Sequence, residues 1–185
     1  MNDGRVKGLA FHSILRAMTE TRGAAFTERV RQRVAGEAGD AIRDGVVVAN
    51  GWYPTSWYRA LYAAAVEESG DPQFAQECGR VSVRYDVTFV HKLLFRVLSP
   101  ETLVRQGARL FKMYFSPAEL DVIPKGDKLF IIRCHECTGF DRNLWLDQLG
   151  GTEELVRYCG GEGAKLRVLS GGQDHDTSME IECRY

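Results

Sequence analysis

The spacing of apolar residues changes once along the chain, from a helical period to a period of two. Phe26, Val30 and Val34 recur every four residues, which predicts an amphipathic helix of about three turns. Gly36, Gly39 and Gly45 interrupt that region, Val46-Val47-Val48-Ala49 is a short apolar segment, and Asn50-Gly51 signals a turn. Tyr53 precedes Pro54 and is biased away from helix. Thr55 or Ser56 can then cap a helix that carries Trp57, Leu61, Ala64 and Ala65 on one face. Gly70 suits the residue after a helix, and Asp71-Pro72 opens another with Phe74, Ala75 and Cys78 on its apolar side. Gly79 permits the close approach of a neighbouring backbone. Residues 83–98 are the most apolar stretch, with Val83, Val87, Val90, Leu94 and Val97 at helical spacing and Phe89 and Leu93 widening the stripe, so this helix is expected to be central. Ser99-Pro100-Glu101 starts the next helix, which aligns Leu103, Gly107, Leu110 and Tyr114 beside Val104, Ala108, Phe111 and Phe115. A mid-helix glycine costs about 1 kcal/mol relative to alanine, so tight helix packing is expected at Gly107.

After Ser116-Pro117 the period becomes two. Leu120, Val122 and Pro124 form one arm, Pro124-Lys125-Gly126-Asp127 a turn, and residues 128–136 the second arm of a hairpin. Residues 144–159 return to helix, with Gly150-Gly151 as a point where it can split. Residues 164–169 and 179–185 read as two strands around the loop Ser170–Ser178, a second hairpin. The expected fold is α+β: an N-terminal helical layer packed on an antiparallel sheet made by two C-terminal β-hairpins with an intervening helix. No repeat or linker divides the chain, so residues 1–185 are expected to form a single domain, with a helical part over about 1–115 and a hairpin-helix-hairpin part over about 116–185.

Composition narrows the function classes. Hydrophobic residues make up 44% of the 185 positions and charged residues 26%, ordinary globular usage. Lys+Arg 24 against Asp+Glu 25 gives a net charge of −1, which argues against a nucleic-acid binder, whose affinity comes mostly from neutralising phosphates. No apolar run approaches the ~20 residues of a membrane span, and the opening MNDGRVKGLAFHS has no signal-peptide pattern, so the expected location is the cytoplasm. Five cysteines (Cys78, Cys134, Cys137, Cys159 and Cys183) without framework spacing are expected to be mostly reduced and buried.

Several residues carry candidate chemistry. Cys134-His135-Glu136-Cys137 offers a Cys-x-x-Cys pair and an imidazole to zinc, but four ligands are needed and no second pair follows. The same residues read first as core packing, and otherwise as a redox pair. His91, in the apolar central helix, is placed as an axial haem ligand would be, or as a core histidine with one hydrogen bond. His175, between two aspartates, reads as a solvated hairpin tip, and His12 has no visible partner. Trp52, Tyr53, Trp57, Tyr58 and Tyr62 form an aromatic cluster suited to the core, an interface or a pocket. A phosphate loop, a nucleophile elbow, an HExxH pair and a catalytic carboxylate pair are all missing from the sequence, so the chain is expected not to be an enzyme.

Val6-Lys7-Gly8-Leu9-Ala10-Phe11, Trp52-Tyr53-Pro54 with Trp57-Tyr58, Gly79-Arg80 with Tyr85 and Thr88, Ser99-Pro100, Phe115-Ser116-Pro117 and Gly160-Gly161 before the terminal hairpin carry a family likeness. In them the chain resembles a paralogous family expanded in myxobacteria. It is similar, more distantly, to 4-vinyl-reductase domains, haem-nitric-oxide-binding domains and TRAPP transport subunits. The resemblance implies a helical layer on an antiparallel sheet with a ligand cavity between them. The chain departs from the haem-binding relatives in lacking their Tyr-x-Ser-x-Arg motif for the propionates. It departs from many vinyl-reductase relatives in having no cysteine in the loop 170–176.

The leading expectation is a non-enzymatic regulatory or sensory module, binding a small apolar ligand or a partner protein in a helix–sheet cavity, with Trp57, Tyr85, His91, Phe95 and Tyr114 as candidate pocket residues and no cofactor. One alternative is a homodimeric interaction scaffold without ligand, paired with itself or with another signalling protein. Another is a haem- or tetrapyrrole-binding gas sensor with His91 on the iron. A zinc ion at Cys134, His135 and Cys137 is a minor addition to any of these.

Overall fold

A computed structural model describes residues 3–90, 100–126, 128–158 and 163–184, with the backbone alone at 85–90, 100, 101, 103–105 and 110. In chain order the elements are β1 (Arg5–Lys7), α1 (Gly8–Arg22), α2 (Ala24–Arg33), α3 (Gly36–Arg43), β2 (Trp52–Pro54), α4 (Thr55–Ser69), α5 (Phe74–Val90), α6 (Pro100–Tyr114), β3 (Phe115–Ser116), β4 (Glu119–Gly126), β5 (Leu129–His135), α7 (Arg142–Tyr158), β6 (Lys165–Gly171) and β7 (Met179–Arg184). The fold is α+β with antiparallel sheets.

The two C-terminal hairpins join through their inner strands into one sheet of order β4-β5-β7-β6. Ile132 lies opposite Ile181 and Cys134 opposite Met179. The alternation of strand side chains puts Phe130, Ile132 and Cys134 on the same buried face as Met179, Ile181 and Cys183. A second, three-stranded sheet of order β2-β1-β3 ties the start of the chain to the segments before α4 and after α6. The sequence reading has no place for it, because strands of two and three residues are too short to show a period of two.

Helix ends follow local chemistry. Gly70 ends α4 with φ 67°, a left-handed conformation that costs glycine little. Asp71 Oδ1 accepts from the Gln73 amide at 2.9 Å just before α5. The N-terminus of α4 differs from expectation. Neither Thr55 nor Ser56 caps it through its own side chain. Instead the Asp3 carboxylate accepts from the Ser56 amide at 3.3 Å and from its hydroxyl at 2.6 Å. At α7, Asp141 Oδ1 accepts from Leu144 N at 3.0 Å and Asp174 Oδ1 from Arg142 N at 2.9 Å, so the tip of the last hairpin holds the helix start. Val46 and Val48 are exposed while Val47 is buried and held by the His12 imidazole, whose Nε2 lies 2.6 Å from the Val47 carbonyl oxygen.

The central packing is α5 against α7. A Cβ on Gly79 would collide with the Asp147 carbonyl oxygen, and one on Gly150 with the Gln76 carbonyl oxygen. Gly79 thus meets a neighbouring backbone, as its size predicts. Gly150-Gly151 does not split the helix: α7 runs unbroken, and these glycines are where α5 crosses it. Gly107 is different. Among the described residues its nearest outside neighbour would be Leu155 Cδ1 at 3.5 Å, an ordinary contact, and the expected tight crossing is not seen there. Residues 91–99 of the expected central helix, and the side chains from Tyr85 onward within it, lie outside the described residues.

Candidate functional site

The interior is built from aromatic rings supplied by separate elements. Phe11 of α1 meets Tyr58 of α4 edge-on at 5.0 Å, and Tyr58 meets Tyr62 at 5.2 Å and Phe115 at 6.3 Å. Phe115 continues to Phe111 at 5.2 Å and to Phe140 at 5.1 Å, and Phe140 to Trp145 of α7 at 4.7 Å. Such tilted pairs contribute about 0.5–1.5 kcal/mol each beyond the area they bury. The file runs where the helices meet the segments that lead into the large sheet.

Successive residues on a helix point about 100° apart. Trp57 and Tyr58 therefore serve different faces of α4. Tyr58 is buried in the file, whereas Trp57 is half-buried and stacked on Tyr53 at 5.6 Å. Tyr114, also half-buried, lies close enough to Tyr58 to act on its ionisation. Tyr85 is placed in the backbone of α5 only, and His91 and Phe95 lie outside the described residues.

The cysteine-rich strand end separates its candidates. Cys134 faces the core, and burial pushes its thiol up to about 12. His135, the next residue, turns outward to Asp121 Oδ2 at 3.1 Å. Burial also raises the Cys137 thiol, whose Sγ donates to the His135 carbonyl oxygen at 3.4 Å. Among the described residues, no group of three or more histidine, cysteine, aspartate or glutamate side chains is arranged to hold a metal ion. Among the described residues, Cys134, His135 and Cys137 do not converge, because strand alternation turns the His135 imidazole outward while Cys134 faces the core.

Two acids on α7 escaped the sequence reading, which looked for apolar residues at helical spacing. Leu144, Asp147, Gly151 and Glu154 share one buried line. Burial opposes the ionisation of Glu154, but hydrogen bonds from Arg157 and Arg84 outweigh it and hold the carboxylate below its usual range. Asp147 has no such help. Burial pushes its carboxyl up to about 7, against the opposing influence of the nearby Tyr62 hydroxyl and of a hydrogen bond from Gln148. Tyr58 and Tyr62 are raised well above the ordinary phenol value, first by burial and then by the Asp147 charge. The Trp145 indole nitrogen is buried and has no hydrogen-bond partner among the described residues. The signal available in sequence was an aspartate and a glutamate on a line of otherwise small or apolar positions.

No protein-family model matches the chain, and no curated protein does. Solved structures do. An oxygen-binding H-NOX domain related to soluble guanylate cyclases, in its oxygen complex, superposes with a TM-score of 0.72 at 15% identity over 96% of this chain and 94% of that one. A structure concerned with modulating haem redox potential through porphyrin distortion gives 0.69 at 14% over 97% and 99%. A point mutant of the Fe(II) unliganded H-NOX protein from K. algicida gives 0.68 at 12% over 96% and 95%. This chain has the fold of those domains, as its resemblance to haem-nitric-oxide-binding domains implied. The expectation of a module without cofactor is corrected by this finding, because the solved structures sharing the fold include haem domains. No helix among the described residues is long and apolar enough to cross a membrane.

Proposed function

We propose that this chain, built on the fold of haem-containing H-NOX domains, is a haem-binding sensory domain with His91 as the axial ligand. Likeness of fold over nearly the full length carries the reading. The donor inventory supports it. Haem iron takes an imidazole, a thiolate, a thioether or a phenolate. The four described cysteines are buried, and burial raises their thiols, which disfavours a thiolate. Tyr58 and Tyr62 are held as neutral phenols in the same way. Of the four histidines, His12 is committed to the Val47 carbonyl, His135 to Asp121, and His175 is exposed on the last hairpin. His91 is left, in the segment whose apolar spacing predicts a central helix.

The apolar ligand expected from the sequence is then the porphyrin itself, and the aromatic file from Phe11 to Trp145 is the wall it would meet. When bound, haem supplies an open coordination position for a diatomic gas. The residues of this chain orient the group and keep water from it. The chain has no Tyr-x-Ser-x-Arg motif, so anchorage falls more heavily on the axial bond than on the propionates. The 185 residues act as one domain in this reading. Titration of the purified protein with hemin tests it. A saturable Soret band at one equivalent that weakens strongly in His91→Ala supports the reading. A spectrum that remains that of free hemin refutes it.

A second reading, a scaffold that pairs with another copy of itself, is favoured by the exposed apolar side chains Leu9, Val46, Val48 and Trp52 around one end of the small sheet. Light scattering decides it: a monomer at high concentration excludes the pairing.

A further inference from the structure

Asp147 lies where three helices meet. Its residue is only 6% exposed. Tyr58 and Tyr62 face it from α4, both buried. From α5 come Cys78, buried and acting on the same charge, and Gly79, whose absent side chain leaves room for the Asp147 carbonyl and Oδ1. Tyr114 of α6 acts on Tyr58 behind it. Arg22 of α1 acts on Cys78 and is itself paired with Glu77 at 3.0 Å. On its own helix, Gln148 Nε2 donates to Asp147 Oδ2 at 3.1 Å. The Tyr62 hydroxyl sits beside the carboxyl without completing a hydrogen bond of normal geometry. Among the described residues, Asp147 forms no ion pair with lysine, arginine or histidine.

A carboxylate in such a place is unlike the other buried acid of α7. Glu154 faces two guanidiniums. Asp147 has no cation beside it among the described residues, and its burial in the helix crossing disfavours the anion more than the neighbouring hydroxyl and amide donors favour it. We infer that Asp147 is a proton-binding switch in the fold: loss of its proton loosens the packing of α7 on α4 and α5. The switch lies at the crossing on which the helical layer depends, so a change there reaches both halves of the chain.

The sign follows from linkage. The carboxyl holds its proton more tightly folded than unfolded, so its contribution favours folding at low pH and is lost as pH rises toward about 7. The experiment is urea unfolding of the full chain at pH values from 5 to 8, beside Asp147→Asn, which keeps the shape and removes the titration. Referenced to that variant, the folding equilibrium constant falls about fiftyfold between pH 5 and pH 7 and levels above it. Parallel curves for the two proteins overturn the proposal. Where Asp147→Asn does not fold, carboxyl carbon NMR of the parent and of Tyr62→Phe supplies the answer. The Asp147 signal titrates near neutrality and moves upward in Tyr62→Phe, because that hydroxyl favours the charged form. A midpoint in the ordinary carboxylate range overturns the proposal. Hydrogen exchange separates a switch from a mere titration: corrected for intrinsic rates, protection of the α7 amides declines from pH 5 to 8 in the parent, and unchanged protection refutes the loosening.

Discussion

The same substitution, glycine to alanine, has opposite signs at two helical positions of this molecule. At Gly150 an added Cβ collides with the Gln76 carbonyl oxygen and comes within 3.1 Å of the Arg80 amide nitrogen. Both obstacles are backbone of α5, so no rotamer change relieves them, and the two helices must separate. Overpacking a well-packed interface costs about 1–3 kcal/mol, and a backbone collision belongs at the upper end. Alanine's helix preference returns about 1 kcal/mol, leaving a net loss of about 2 kcal/mol. At Gly107 the new methyl meets, among the described residues, only Leu155 Cδ1 at 3.5 Å, so a gain of about 1 kcal/mol is expected. For a chain of this size these values correspond to Tm shifts of about 4–8 °C down and 2–4 °C up. Thermal unfolding followed by circular dichroism, with urea titration to confirm an unchanged m-value, measures both. A Gly150→Ala protein as stable as the parent would refute the close crossing of α5 and α7, and with it the placement of Asp147 at that junction.

Other outcomes follow from named contacts. Glu154→Gln removes the anion shared by Arg84 and Arg157 and is expected to lower stability by about 2 kcal/mol in urea; a change below a few tenths would show that the pairs carry nothing. Arg33→Ala, by contrast, breaks only surface pairs with Glu67 and Glu68 and is expected to cost less than about 1 kcal/mol. Cys134 is buried and its thiol raised to about 12, so it reacts with a thiol reagent only on unfolding; rapid labelling of Cys134 in the native protein, located by mass spectrometry, would contradict its position.

Both hairpins were legible in the sequence, because alternation over six to eight residues specifies one buried face, and so were the helix starts just after Asp71-Pro72 and at Pro100. What escaped depended on tertiary placement. The small sheet is made of fragments whose partners lie about 50 and 110 positions away, as Val6 pairs with Tyr53 and with Phe115. Gly79 and Gly150 mark a crossing and Gly107, among the described residues, does not, although all three occur within helices, because only the neighbour's backbone tells them apart. Asp147 and Glu154 were skipped because a polar residue on an apolar line reads as solvent-facing until burial is seen. Of the candidate pocket residues, Trp57 and Tyr114 have described side chains, one beside Tyr53 and the other near Tyr58.

Resonance Raman spectroscopy of the hemin-loaded, reduced protein addresses the axial bond itself. The parent is expected to show an iron–histidine stretching band, His91→Gly to lose it, and added imidazole to restore it in that variant. An unchanged band in His91→Gly, or no such band in the parent, would contradict the assignment of His91 as the residue that holds the haem.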